Sequence, residues 1–266
     1  MVAVNPNRLR WGAVTWLLTL QFFVAETIAQ LRYEGAYSRA DDVISALGAA
    51  DSAARQLMNA SFVVQAALIL GGVLLLRPVL LRGAGLVARV LLGAAALGVL
   101  LVGVFPTDGN ATLHVVGAVL HLVGGGLGLI ALAYAVRPRS EPIGTTLALL
   151  GLIGTAATVF FLTGVTNYLG EGGTERAAAY PVPIGLALAG LALWRLRRPA
   201  GDAESDRPSR REKRDHARAA RAARDRARDE ALVARLGSAP REGTARQSST
   251  DDADEDPWSS SHPRRD

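Results

Sequence analysis

Six long apolar segments follow one another along the first 196 residues of the chain. They cover residues 10–31, 57–76, 86–105, 112–136, 143–166 and 180–196. An α-helix rises about 1.5 Å per residue, so segments of this length cross a hydrocarbon core of about 30 Å. The sequence therefore predicts an all-α polytopic membrane protein with six transmembrane helices, each in contact with the lipid bilayer.

The arginines predict how these helices are oriented. If the N-terminus is cytoplasmic, the inner segments hold ten arginines and the outer loops hold four, namely Arg32, Arg39, Arg55 and Arg176. Cytoplasmic segments retain positive charge. All 29 basic residues except Lys213 are arginine, a bias typical of a GC-rich bacterial genome. We therefore expect a multi-pass protein of the inner (cell) membrane with both termini in the cytoplasm.

The composition changes at Pro199, which predicts a six-helix membrane domain over residues 1–198 and a charged cytoplasmic tail over residues 199–266. The run from Arg207 to Arg228 has a net charge of +7 and an Ala and Arg content that favours helix. The acidic, serine-rich end of the chain is predicted to be disordered. The basic run could contact anionic lipid, or it could be a solvated segment neutralised by the acidic end. Without interleaved aromatic residues or a recognisable nucleic-acid module, no nucleic acid is expected as a partner.

Polar residues at membrane depth are the candidates for ligand binding, because an ionisable group in hydrocarbon costs several kcal/mol unless it is paired or hydrated. Glu26 alternatively snorkels to the headgroups or bonds to Gln30 and neighbouring helices. His121 alternatively is a hydrogen-bonded packing residue, and His114 a solvated residue at a helix start. The candidate ligand-binding residues are Glu26, Asn59, Asp108, His114 and His121.

The spacing of His114 and His121 limits the chemistry available to them. Seven residues bring a helix back to the same face, so the two imidazoles share a side of their helix about 10.5 Å apart along its axis. Both nitrogens of a zinc site must lie about 2.1 Å from the metal, which a regular helix does not allow here. The sequence has no cysteine, no His-Glu-x-x-His, no P-loop and no Gly-x-Ser-x-Gly. Accordingly, no metal site and no cofactor is predicted, and no catalytic residue is assigned.

Two stretches of the sequence resemble a known family. They are "ISALGAADSAARQLMNASFVVQAALIL", from Ile44 to Leu70, and "VGVFPTDGNATLHVVGAVLHLVGGGLGLI", from Val102 to Ile130. Together they resemble the bacterial membrane-protein family catalogued as domain of unknown function 998, over about residues 10–197. The resemblance implies a multi-helix membrane protein without an established activity. It adds interest to Ser45, Asn59, Asp108 and His114, which lie in the motif-like segments.

Three functions are compatible with these residues. The first is binding of a small or lipid-like ligand in a polar pocket at the outer leaflet. The second is a membrane-embedded hydrolase in which Asp108 and His114 position water, with or without a metal. The third is a scaffold whose polar residues are structural. The absence of a proline in the middle of any span argues against a transporter with broken helices. We expect Glu26 and at least one imidazole to line the same cavity.

Overall fold

The structure is a computed structural model that describes residues 5–81, 83–195 and 210–237. The chain divides into two units between Ala203 and Glu204. In the first unit the helices are α1 Pro6–Leu17, α2 Gln21–Leu31, α3 Arg55–Leu75, α4 Ala84–Val104, α5 Ala111–Val136, α6 Glu141–Leu162, α7 Glu171–Ala179 and α8 Pro181–Arg195. The second unit contains α9, Arg210–Gly237.

Within the described residues, six helical segments are long and apolar enough to cross a membrane, which confirms the predicted fold class. The first combines α1 and α2, and the sixth combines α7 and α8 over Glu171–Arg195. Most predicted ends agree with the structure to within about four residues, but the sixth span begins nine residues before the predicted position 180. That difference arises because α7 carries Glu171, Glu175 and Arg176, whose charges resemble those of a loop.

The first span is interrupted by one turn of 3-10 helix, Leu18–Leu20. Thr19 lies in this turn and is fully buried. Its hydroxyl donates to the Trp16 carbonyl at 2.6 Å and lies 3.2 Å from the Pro183 carbonyl of α8. A side-chain hydroxyl that bonds to the preceding turn competes with the regular helical ladder. The turn therefore joins α1 to α2 at a contact with the last span.

Glycines bring α4 and α5 into direct backbone contact. A Cβ atom added to Gly117 would lie 2.7 Å from the Gly98 carbonyl oxygen, and one added to Gly124 would lie 2.7 Å from the Leu91 carbonyl oxygen. Small residues allow such close approach between helices in lipid. This tight interface fixes the position of His121 of α5 against Ala95 of α4.

Large apolar side chains on the outside of the bundle form the surface that faces lipid. They include Val64, Leu74, Val90, Leu97, Val115, Leu149, Ile153 and Val159, each between 45% and 65% exposed. The loop between α2 and α3 contains a second 3-10 segment, Ile44–Gly48, whose Ile44 and Leu47 are buried. We call the end of the bundle that holds this loop the loop end. The 3-10 segment packs on α3 and α7.

Candidate functional site

A cavity lies inside the bundle at the loop end. Its walls are mainly apolar and come from α2, α3, α4, α5, α7, α8 and the 3-10 segment Ile44–Gly48. The space in which a water molecule's centre fits is about 50 Å³, so the cavity is large enough to hold water. The polar side chains that line it are Ser45, Gln65, His114, His121 and Glu175. We call this space the imidazole cavity.

His114 and His121 both line the imidazole cavity, as their shared helix face predicts. Nδ1 of His114 lies 2.8 Å from the Phe105 carbonyl oxygen, and Nδ1 of His121 lies 3.0 Å from the Ala95 carbonyl oxygen. A carbonyl only accepts, so Nδ1 carries the proton and Nε2 of a neutral ring keeps a lone pair. Among the described residues neither Nε2 atom has a hydrogen-bond partner. Every fully buried side-chain polar atom in the described residues does have a partner. Both Nε2 atoms are therefore not fully buried, and both rings belong to the cavity wall.

Glu175 and Gln65 supply the other polar groups of the imidazole cavity. The Oε2 atom of Glu175 accepts a hydrogen bond from the backbone N–H of Ile44 in the 3-10 segment. Gln65 accepts from the Gln21 side chain at 3.2 Å, and Gln21 also contacts Ser61. This leaves the Gln65 amide group as a donor and one Glu175 oxygen as an acceptor.

Glu26 does not line the imidazole cavity, so the predicted pairing of Glu26 with an imidazole in one cavity is wrong. Its side chain is 1% exposed and lies beside Arg176, whose Nε donates to it at 2.9 Å. Tyr180 donates to its Oε2 atom at 2.8 Å, and Gln30 donates to its Oε1 atom at 3.0 Å. The physical reason is charge: a buried carboxylate is far better matched by a guanidinium than by a neutral imidazole.

Arg176 is the centre of this polar cluster, although the sequence places it in an outer loop. Besides Glu26, it donates to the carbonyls of Arg39, Asp42 and Gly172 at 2.7 to 3.0 Å. Its remaining nitrogen donates to the Tyr37 hydroxyl at 2.5 Å. All of these partners except Gly172 belong to α2 or to the loop that follows it. Arg176 therefore holds that loop on α7.

Tyr37 connects the Arg176 cluster to the 3-10 segment that covers the imidazole cavity. Its hydroxyl donates to the Val43 carbonyl at 3.1 Å, next to Ile44. Burial raises the pKa of Tyr37, and the neighbouring Arg176 charge acts against that rise. The phenol is therefore neutral at physiological pH and keeps the proton that it donates to Val43.

Asn59 and Asp108 lie apart from the imidazoles, in a second and more open cavity that Gly48, Arg55, Gln56 and Pro106 also line. The Asn59 amide donates to the Gly48 carbonyl at 2.9 Å, and Asp108 accepts from the Ala50 backbone N–H at 3.0 Å. Both residues thus fasten the loop that carries the 3-10 segment. His114 does not bond to Asp108, and no group of three His, Asp or Glu in the described part of the chain is placed to hold a metal ion.

Comparison with known proteins bears on the identity of this bundle. The model of the family described as "Protein of unknown function (DUF998)" matches residues 17–193. No curated protein and no solved structure matches the chain. The matched residues extend from the end of α1 almost to the end of α8 and include both cavities and the Arg176 cluster. This membrane bundle therefore belongs to the DUF998 family.

Proposed function

We propose that the membrane bundle binds a small or lipid-like ligand in the imidazole cavity. One observation carries the proposal: His114 and His121 line the same cavity, and neither Nε2 atom has a hydrogen-bond partner among the described residues. A polar atom held in an apolar interior is stabilised when water or a ligand group hydrogen-bonds to it. The mainly apolar walls and the few convergent polar groups are typical of small-molecule sites.

The hydrolase alternative requires Asp108 and His114 to act on one water molecule. Asp108 lines the second cavity and bonds to the loop, whereas His114 lines the imidazole cavity and bonds to Phe105. A general base must lie within hydrogen-bond reach of the group that it serves. This geometry favours ligand binding over hydrolysis, and we propose binding without a catalytic step.

Hydrogen exchange at the imidazoles tests the proposal. The Cε1–H of an imidazole exchanges with deuterium oxide when solvent reaches the ring, and this probe is small enough for the cavity, so His114 and His121 are expected to exchange in the full-length protein in lipid nanodiscs. Mass spectrometry measures the deuterium uptake. Ala118 lines the cavity, and an Ala118→Leu substitution is expected to fill it and slow both reactions. Val115→Leu is the matched control, because Val115 is on the same helix but is 58% exposed to the outside.

Two results would contradict binding in the imidazole cavity. The imidazoles could exchange only after the protein is denatured, which is what a scaffold with structural polar residues predicts. Alternatively, Ala118→Leu and Val115→Leu could leave equal exchange, which would mean that deuterium oxide reaches the rings by another route.

We also propose that the loop end faces outward, with both termini in the cytoplasm, and that the basic run Arg207–Arg228 contacts anionic headgroups. Arg207 and the side chains of residues 210–214 lie outside the described part of this run. Within it, Arg218, Arg221, Arg224 and Arg228 are exposed and fall within about 120° of the helix circumference. Each arginine near an anionic surface contributes on the order of 1 kcal/mol. An environment-sensitive dye on Ala217→Cys is expected to respond to vesicles with anionic lipid and not to purely zwitterionic ones.

A further inference from the structure

The polar groups of the imidazole cavity are unequally divided between acceptors and donors. The acceptors are Nε2 of His114, Nε2 of His121 and the Glu175 oxygen that Ile44 leaves free. The Gln65 amide group donates, and the Ser45 hydroxyl donates or accepts. Three groups that accept therefore face one that only donates, so a ligand that donates several hydrogen bonds complements this cavity.

The charge at the cavity also favours a donor ligand. Glu175 forms no salt bridge among the described residues, and no arginine or lysine lines the cavity. The neighbouring Arg176 is already matched, because it pairs with Glu26 and donates to three carbonyls. A carboxylate or phosphate ligand would meet Glu175 without a facing cation, which costs far more inside a protein than in water.

From these two features we propose that the ligand's polar group is a protonated primary amine. The inference rests on the proposed binding function and names its ligand class. The Glu175 carboxylate balances the ammonium charge, and the imidazole Nε2 atoms accept further hydrogen bonds directly or through cavity water. The side chains of Phe22, Phe62, Val102 and Leu122 provide walls for a hydrocarbon group. About 50 Å³ of water-accessible space fits an amine of one or two carbons without movement of the walls.

Imidazole nitrogen resonances provide a direct readout of amine binding. The full-length protein, labelled with ¹⁵N-histidine and placed in lipid nanodiscs, is titrated with ethylammonium chloride at constant ionic strength. We expect saturable shifts at His114 and His121, while ethanol and acetate at the same concentrations cause none. Ethanol matches the size of the amine, and acetate reverses its charge, so this selectivity is measured on the native chain without any variant.

A matched pair of variants assigns the charge that the amine needs. Glu175→Gln keeps an oxygen that can accept from Ile44 but removes the charge, so ethylammonium binding is expected to weaken about tenfold or more. Glu171→Gln removes the same charge from an exposed position one turn earlier in α7 and is expected to leave binding unchanged. Equal weakening in both variants would mean that the amine does not bind at Glu175.

The possible failures of the two proposals are distinguishable. If deuterium oxide reaches the imidazoles but ethanol or acetate shifts their resonances as much as ethylammonium does, the amine class is wrong and the binding cavity stands. Exchanging imidazoles that no amine shifts would likewise overturn the amine class alone. If the imidazoles do not exchange and nothing shifts them, the cavity is closed and both proposals fall.

Discussion

Two arginine–glutamate pairs in this chain differ mainly in burial. The side chains of Arg176 and Glu26 are 6% and 1% exposed, whereas those of Arg137 and Glu141 are 56% and 74% exposed. An exposed pair contributes about 0–1 kcal/mol to stability, because water solvates each charge almost as well as the partner does. In a buried pair each charge depends on the other, so the loss of one member leaves a charge without solvation.

We expect Arg176→Leu to lower the free energy of unfolding by about 3–5 kcal/mol. The substitution leaves the Glu26 carboxylate buried and removes the bonds that hold the loop. Reversible unfolding in mixed micelles measures the change. Arg137→Leu is the matched control and is expected to cost less than about 1 kcal/mol. A similar loss in both variants would contradict the structural role of the buried pair, and the double variant Glu26→Leu/Arg176→Leu should recover part of the loss.

Individual site residues differ in how far the sequence predicts them. His114 and His121 are predictable as a pair because both lie on one regular helix, where a spacing of seven fixes a common face. Glu26 is predictable as a residue that needs a partner, but its partner is 150 positions away. Local pattern carries no information about such a pair. Glu175 and Arg176 have the charge of loop residues, and only the tertiary contacts of α7 show that they are inside the bundle.

At the scale of elements, the contact of α4 with α5 depends on the absence of side chains. We expect Gly117→Ala to destabilise the bundle by about 1–3 kcal/mol, because the added methyl group would meet the backbone of α4. Gly93→Ala is the matched control, since a Cβ atom there meets nothing within 4 Å. Thermal unfolding in detergent compares the two. Equal midpoints for both variants would show that the helices are not in direct contact.

The number and order of the spans are predictable because hydrocarbon thickness demands a long apolar run for each helix. The interruptions within the spans are not predictable in this way. The 3-10 turn at Leu18–Leu20 lies inside a predicted span, where the Thr19 hydroxyl bonds to Trp16 and also lies against the Pro183 carbonyl, 164 residues away. Similarly, α7 has too few apolar residues to be recognised from sequence as part of a span. It lies in the bundle because the buried Arg176 side chain bonds to carbonyls of the loop rather than to water.

At the scale of the whole molecule, the proposed orientation predicts a labelling pattern. The chain has no cysteine, so single cysteines can be introduced without a background signal. In intact cells a membrane-impermeant maleimide is expected to label Glu34→Cys at the loop end. The same reagent is expected to label Pro138→Cys and Ala217→Cys only after the membrane is opened. Labelling of Pro138→Cys in intact cells would mean that the orientation is reversed. Labelling of Ala217→Cys but not of Pro138→Cys in intact cells would contradict an even number of membrane crossings between these two positions.

The bond between Glu26 and Arg176 also has a consequence for the order of events during translation. The first span leaves the ribosome 150 residues before its partner exists. At the usual 5–20 residues per second, the carboxylate waits roughly 8–30 s for its counter-ion. During that interval the unpaired Glu26 carboxylate makes the first span unfavourable in the hydrocarbon core. We expect headgroup water or the insertion machinery to solvate it until Arg176 is made. Because α8 packs on α1, the bundle is complete only once the sixth span is present, and we expect the membrane domain to become stable at that point.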